Sequence, residues 1–140
     1  MGDEIIIYWK VGSPEKNERA IRCHEMIKYR ISLRDSYYLE HFGKAPAFRA
    51  SIHTGQVAMT WVGEVKREVL FIGDVLNTCS RMQEICKRLG KDFLISGQVL
   101  DILPLTEQYH YPFEEKLTPR GKQNEILVFS VEPRMEQKFD

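Results

Sequence analysis

Asn77 and Arg81 stand four residues apart in Asp74-Val75-Leu76-Asn77-Thr78-Cys79-Ser80-Arg81, just after a glycine that ends a β-like run. If the stretch is helical, an amide and a guanidinium share one face, one turn apart, near the helix N-terminus. Such a pair can grip a polar or anionic ligand, because the helix end favours negative charge and the guanidinium is a planar fork of donors. Glu84 and Arg88 continue the same face, so it also reads as an ordinary solvated surface. Two further groups could do chemistry. Asp3 follows Gly2 in a turn ahead of an aliphatic run, and Lys122 follows Gly121 in a loop near Lys116 and Arg120. By themselves they are a turn carboxylate and a loop lysine.

The elements that must position these groups are legible from pattern. Val75, Cys79, Met82, Cys86 and Leu89 recur at spacings of four and three, which predicts a helix ending at Gly90, with Asp74 as its N-cap. Ile5-Ile6-Ile7-Tyr8-Trp9 is a continuous apolar run, predicting a strand buried on both faces. Ser13-Pro14 starts a helix expected to run to about His41, weak near Ser32 and ended by Gly43. His24 falls on its apolar side and reads as an edge-of-core histidine. Phe48, Ala50 and Ile52, then Val57, Met59 and Trp61 after Thr54-Gly55, alternate as a hairpin-like unit. His53 in that turn would be a base, yet no serine or cysteine nucleophile stands at a suitable spacing to it.

Further strands are expected at Val69–Ile72, Phe93–Ile95, Tyr109–Phe113 and Ile126–Phe129, with Ser96 capping a short helix closed by Pro104. The chain has 140 residues, enough for one domain with a single core. Twenty basic and twenty acidic residues cancel, which gives no electrostatic footprint for nucleic acid or an anionic membrane. No apolar run approaches the ~18 residues that cross a bilayer. Cys23, Cys79 and Cys86 lack metal-site spacing and fit a reducing cytoplasm.

Several motifs occur in an informative order. Ile52-His53-Thr54-Gly55 with Val57, then Val62-Gly63, then Phe71-Ile72-Gly73-Asp74-Val75-Leu76-Asn77 with Ser80-Arg81, then Leu94-Ile95-Ser96 resemble class III nucleotidyl cyclases. Gly2-Asp3-Glu4 is similar to that family's metal-binding turn, and Gly121-Lys122 to its C-terminal phosphate-contacting loop. The resemblance to the adenylate/guanylate cyclase catalytic domain covers nearly the whole chain.

The resemblance implies an α/β (α+β) fold of the ferredoxin-like type, an antiparallel-rich sheet covered by helices. The domain would span residues 1–132, with a polar tail at 133–140. It implies an enzyme that converts a nucleoside triphosphate to a 3′,5′-cyclic nucleotide and pyrophosphate. Asn77 would orient the ribose, Arg81 would stabilise charge on the phosphate, and Lys122 would neutralise the terminal phosphates. Asp3 matches the second of two aspartates that hold two Mg²⁺ or Mn²⁺ ions. The first belongs to a strand that this chain does not contain, so a fragment is expected, inactive alone and self-associating. Leu70, seven residues before Asn77, occupies the position that reads the base edge and cannot hydrogen-bond to one. ATP is the default substrate, with GTP or a pyrimidine nucleotide open. The family works as a head-to-tail dimer with sites at the interface. The other reading is a cyclase-like module that dimerises or holds nucleotide without turning it over.

Overall fold

The computed structural model describes residues 3–64, 68–119 and 124–134, with residues 68–72 through their backbone. The order is α1 (Pro14–Asn17), α2 (Arg19–Ser32), α3 (Asp35–Phe42), β1 (Ala50–Ile52), β2 (Ala58–Val62), β3 (Glu68–Ile72) and α4 (Asp74–Leu89). Then follow β4 (Phe93–Ser96), α5 (Gly97–Leu100), β5 (Tyr109–His110), β6 (Phe113–Leu117), β7 (Ile126–Ser130) and β8 (Glu132–Pro133). The expected long helix is present but divided. Ser13 caps α1 by accepting from the Lys16 N–H, and α2 closes at Leu33 beside the expected weak point. Gly43, at φ 75°, ends α3 in the left-handed region that glycine adopts without penalty.

The main sheet has the order β1-β4-β7-β6, parallel between β1 and β4 and antiparallel elsewhere. With helices on both faces, this is the mixed α/β architecture that the sequence predicts. All four residues of β4 are buried, and its alternation divides them between two cores. Phe93 and Ile95 pack with Ile21 of α2, Val99 of α5, Leu103 and Tyr109. Leu94 faces the other way, into Met82, Ile85 and Cys86 of α4, with Leu117, Ile126 and Val128. His24 belongs to the first core: its ring stacks on Phe93 at 3.9 Å and its Nδ1 lies 3.1 Å from Glu25 Oε1.

Three expectations change. The run Ile5–Trp9 is not a buried strand: it forms no ladder among the described residues, and Ile5 is 84 % exposed. Its expected neighbours are absent from the described sheet, where β1 is an edge. A cavity of about 520 Å³ separates β1 from this segment. The hairpin also lies elsewhere. β1 pairs with β4, while β2 pairs with β3 from Ala58↔Ile72 to Val62↔Glu68, because the chain leaves the sheet at Thr54-Gly55. The strand expected over Tyr109–Phe113 splits at Tyr111-Pro112 into β5 and β6, since proline cannot donate to a ladder. β8 pairs with β5, and the Arg134 N–H donates to the Gln108 carbonyl, so ordered structure enters the segment read as tail.

The start of α4 also differs from expectation. Gly73 rather than Asp74 is the N-cap, with no side-chain cap bond, and Asp74 is the first helical residue. Its carboxylate still stands at the positive end of the helix dipole. Glycine is needed at 73 for two reasons: φ is 147°, and an added Cβ would lie 3.0 Å from the Gln56 carbonyl oxygen. Gly73→Ala should therefore cost about 1–3 kcal/mol, read as a lower denaturant midpoint at unchanged slope.

Buried Tyr109 and half-buried Tyr111 give a second expectation. Burial, with Glu25 and then Glu18 adding for Tyr109 and Glu18 for Tyr111, pushes each phenol up to about 12. The unfolded chain releases these protons near pH 10 and the folded chain holds them, so stability should fall as pH rises from 10 to 12. Neither hydroxyl finds a hydrogen-bond partner among the described residues. Tyr109→Phe should thus change stability little at neutral pH and flatten the alkaline loss, as followed by thermal melts across that range.

Candidate active site

α4 is held against the sheet by polar contacts as well as by its apolar face. The Ser51 hydroxyl of β1 donates to the Cys79 carbonyl at 2.9 Å. The Gln83 amide donates to Ser51 Oγ and to the Arg49 carbonyl, each at 3.3 Å. These bonds fix the rotation of the helix, with Thr78, Met82, Ile85 and Cys86 buried. The predicted stripe is shifted slightly: Val75, Cys79 and Leu89 lie at its half-buried margins, and Thr78 and Ile85 take central places.

The flank of the helix beside this buried face presents the predicted pair. Asn77 is exposed in the first turn, and Arg81 is half-buried one turn later. Arg81 Nη1 donates to the Thr118 carbonyl at 2.9 Å, the guanidinium's only hydrogen bond among the described residues. That leaves four of its five N–H donors for a ligand. Arg88, further along, is neutralised by Glu115. Thr118 was invisible to sequence reasoning, since a backbone carbonyl carries no residue-type signal. Ser51 did leave a trace, as a hydroxyl in an apolar strand.

The remaining candidates are more scattered. Asp3 is exposed, and its neighbour Glu4 lies close enough to Cys79 for its charge to act on that thiol. The chain's start is thereby brought to α4, on the cavity side. Leu70 sits in β3 paired with Thr60. Lys122, Gly121 and Gly2 lie outside the described residues. The 520 Å³ cavity is lined by Ile6, Trp9, Ile52, His53, Leu76 and Cys79 among others, and Asn77 and Arg81 do not line it. It is an apolar slot beside the sheet edge, distinct from the face that carries the pair.

His53 proves to have a serine neighbour that spacing did not reveal. Its Nδ1 lies 2.7 Å from Ser96 Oγ. Ser96 is fully buried and its oxygen already accepts from the Val99 N–H as the cap of α5, so no substrate can reach it. The pair is a structural tie that holds the His53-Thr54-Gly55 turn to the C-terminal end of the neighbouring β4. Gly55 completes that turn, since a Cβ there would lie 2.9 Å from Val75 Cγ2. Burial pushes the Cys79 thiol up and the Cys86 thiol up to about 11, so neither is a thiolate nucleophile at neutral pH.

The sequence model for the adenylate and guanylate cyclase catalytic domain matches residues 2–132. The chain belongs to that family. Adenylate cyclase 2 of Rhizobium meliloti (strain 1021) is 28% identical over 133 residues, covering 94% of this chain and 37% of the relative. Human guanylyl cyclase C is 28% identical over 142 residues, covering 100% of this chain and 13% of the relative. The chain thus spans about a third or less of the curated relatives it matches.

Cyclase catalytic domains depend on divalent metal ions in general. Among the described residues no group of three His, Cys, Asp or Glu side chains could hold an ion, and Asp3 offers one exposed carboxylate. These residues do not by themselves make a two-ion site. Also among the described residues, no helix is long and apolar enough to cross a membrane.

The Ser96 tie generates a prediction. Ser96→Ala removes both the α5 cap and the His53 contact, and should lower stability by about 0.5–2 kcal/mol. Chemical denaturation checks this directly; an unchanged midpoint would mean that the cap contributes nothing.

Proposed function

We propose that this chain is the larger part of a nucleotidyl cyclase catalytic domain, spanning residues 1–132, that converts a nucleoside triphosphate to its 3′,5′-cyclic nucleotide and pyrophosphate. The observation that carries the reading is the Asn77–Arg81 pair. It stands near the N-terminus of α4 with the guanidinium oriented and its charge uncompensated by any carboxylate among the described residues. In the reaction the ribose 3′-hydroxyl attacks the α-phosphate and pyrophosphate leaves. Asn77 orients the ribose through its amide. Arg81 stabilises the negative charge that grows on the phosphate, which donors fixed in advance do most effectively. Lys122 serves the terminal phosphates and Asp3 one arm of the metal site, with Mg²⁺ or Mn²⁺ as the ions. ATP is the default substrate only: Leu70 at the base position cannot hydrogen-bond to a base, which leaves GTP or a pyrimidine nucleotide open.

Two observations favour the second reading, a module without turnover, for the chain in isolation. One carboxylate cannot place two ions, and β1 lacks a second partner among the described residues, beside an apolar slot. An edge strand next to an exposed Ile5-Ile6-Ile7 segment also favours self-association, with head-to-tail dimers the family's way of completing the site. The purified chain, incubated with Mn²⁺ and each nucleoside triphosphate, should give no cyclic product and should exceed monomer mass by light scattering. Product formation would contradict its inactivity, and a clean monomer would contradict self-association.

In a form of the domain that does turn over, Arg81→Ala should lower turnover by about 10²–10³-fold while weakening nucleotide binding far less. Equal losses in kcat and binding, or none, would reduce Arg81 to a solvated surface residue.

A further inference from the structure

α4 and Lys91, two residues past its end, meet β6 and the residue that follows it through three cationic rungs. Lys91 Nζ lies 3.6 Å from Glu114 Oε1, Arg88 pairs with Glu115, and Arg81 Nη1 donates to the Thr118 carbonyl. The first two cations face carboxylates that cancel their charge. The third faces a neutral backbone dipole, which directs the guanidinium and leaves its charge intact.

The carbonyl has little freedom to swing. Immediately before it, Leu117 is buried with Met82 and Ile85 of α4 in the second core. Immediately after it comes Pro119, whose ring fixes its own φ and restricts the preceding residue to extended conformations. The Thr118 side chain is exposed and plays no part in the contact.

We propose that Leu117-Thr118-Pro119, the last residue of β6 and the two that follow it, is a positioning element for Arg81: its clamped carbonyl aims the guanidinium, with no carboxylate paired to it, at a polyphosphate anion. This rests on the reading that Arg81 meets nucleotide phosphate, and it adds residues that act through Arg81 rather than on the substrate. A carbonyl suits the task better than a carboxylate, because a carboxylate in the same place would compete with the phosphate. A carbonyl on a free loop would not hold the fork in one orientation.

The test uses the purified chain and inorganic tripolyphosphate, followed by calorimetry and by ¹⁵N NMR of the arginine guanidinium groups. Arg81→Ala assigns the Arg81 signal. In the unmodified chain that signal should show slowed rotation, and tripolyphosphate should bind. Pro119→Gly should abolish the slowed rotation and weaken binding about five- to tenfold, with the fold intact by circular dichroism. Thr118→Val, which changes only the exposed side chain and keeps the carbonyl, should match the unmodified chain.

The proposal is overturned if Pro119→Gly leaves both rotation and affinity unchanged, if Thr118→Val binds markedly more weakly than the unmodified chain, or if the unmodified chain binds no tripolyphosphate. The two readings fail separately. Binding that depends on Arg81 and Pro119, in a complete domain that makes no cyclic nucleotide, would keep the positioning element and remove the cyclase reading. Cyclic product with kcat and KM indifferent to Pro119→Gly would do the reverse.

Discussion

The structure depends on a close approach of two backbone segments at the start of α4. The turn after β1 and the turn after β3 lie against each other so tightly that glycine is required at 73, and at 55 any Cβ would force the Val75 side chain of α4 to shift. A Cβ at Gly55 would press on Val75 Cγ2 at 2.9 Å, and one at Gly73 on the Gln56 carbonyl oxygen at 3.0 Å. This contact sets where α4 begins. The Ser51 and Gln83 hydrogen bonds then set its rotation, and Met82, Ile85 and Cys86 seat it on Leu94. Asn77 and Arg81 face outward as a consequence of those constraints. The His53-Thr54-Gly55 motif therefore acts as a structural support for the start of α4.

β4 makes the rest possible by being buried on both faces. Its alternation gives α2 and α5 one apolar surface and α4 another, so one short strand joins both cores. β1 lies beside it with one side unpaired among the described residues, and the Ile5–Trp9 run stands across an apolar slot with its side chains exposed. An aliphatic run of high strand propensity that finds no ladder among the described residues shows that propensity alone does not make a strand. Pairing partners do. The same open edge underlies the proposal that the chain in isolation associates with itself and turns nothing over.

Much of this was legible in the sequence because it rests on local rules. Periodicity located α4, the Ser13-Pro14 and Ser96 caps located α1 and α5, and Gly43 and Gly90 marked helix ends. The ordered motifs point to the family by themselves, and the match to residues 2–132 agrees. What could not be read was non-local. The parallel pairing of β1 with β4 replaced an expected hairpin because alternation gives no information about partners. The helix began one residue earlier than expected, since the demand for glycine at 73 comes from a carbonyl seventeen positions away in sequence. The Ser96–His53 contact and the Thr118 carbonyl on Arg81 join residues far apart in the chain, and the latter involves no side chain on the strand.

The central claim is that the outward face of early α4, and not the larger apolar slot on its other side, receives the phosphates of a nucleotide. Side-chain NMR of the chain during titration with a non-hydrolysable nucleoside triphosphate analogue tests this most directly. The Asn77 amide and Arg81 guanidinium signals should shift together and saturate with one affinity, while Ile6, Ile52 and Leu76 methyl signals in the slot stay in place. Shifts confined to the slot, with Asn77 and Arg81 unmoved at saturation, would contradict the account.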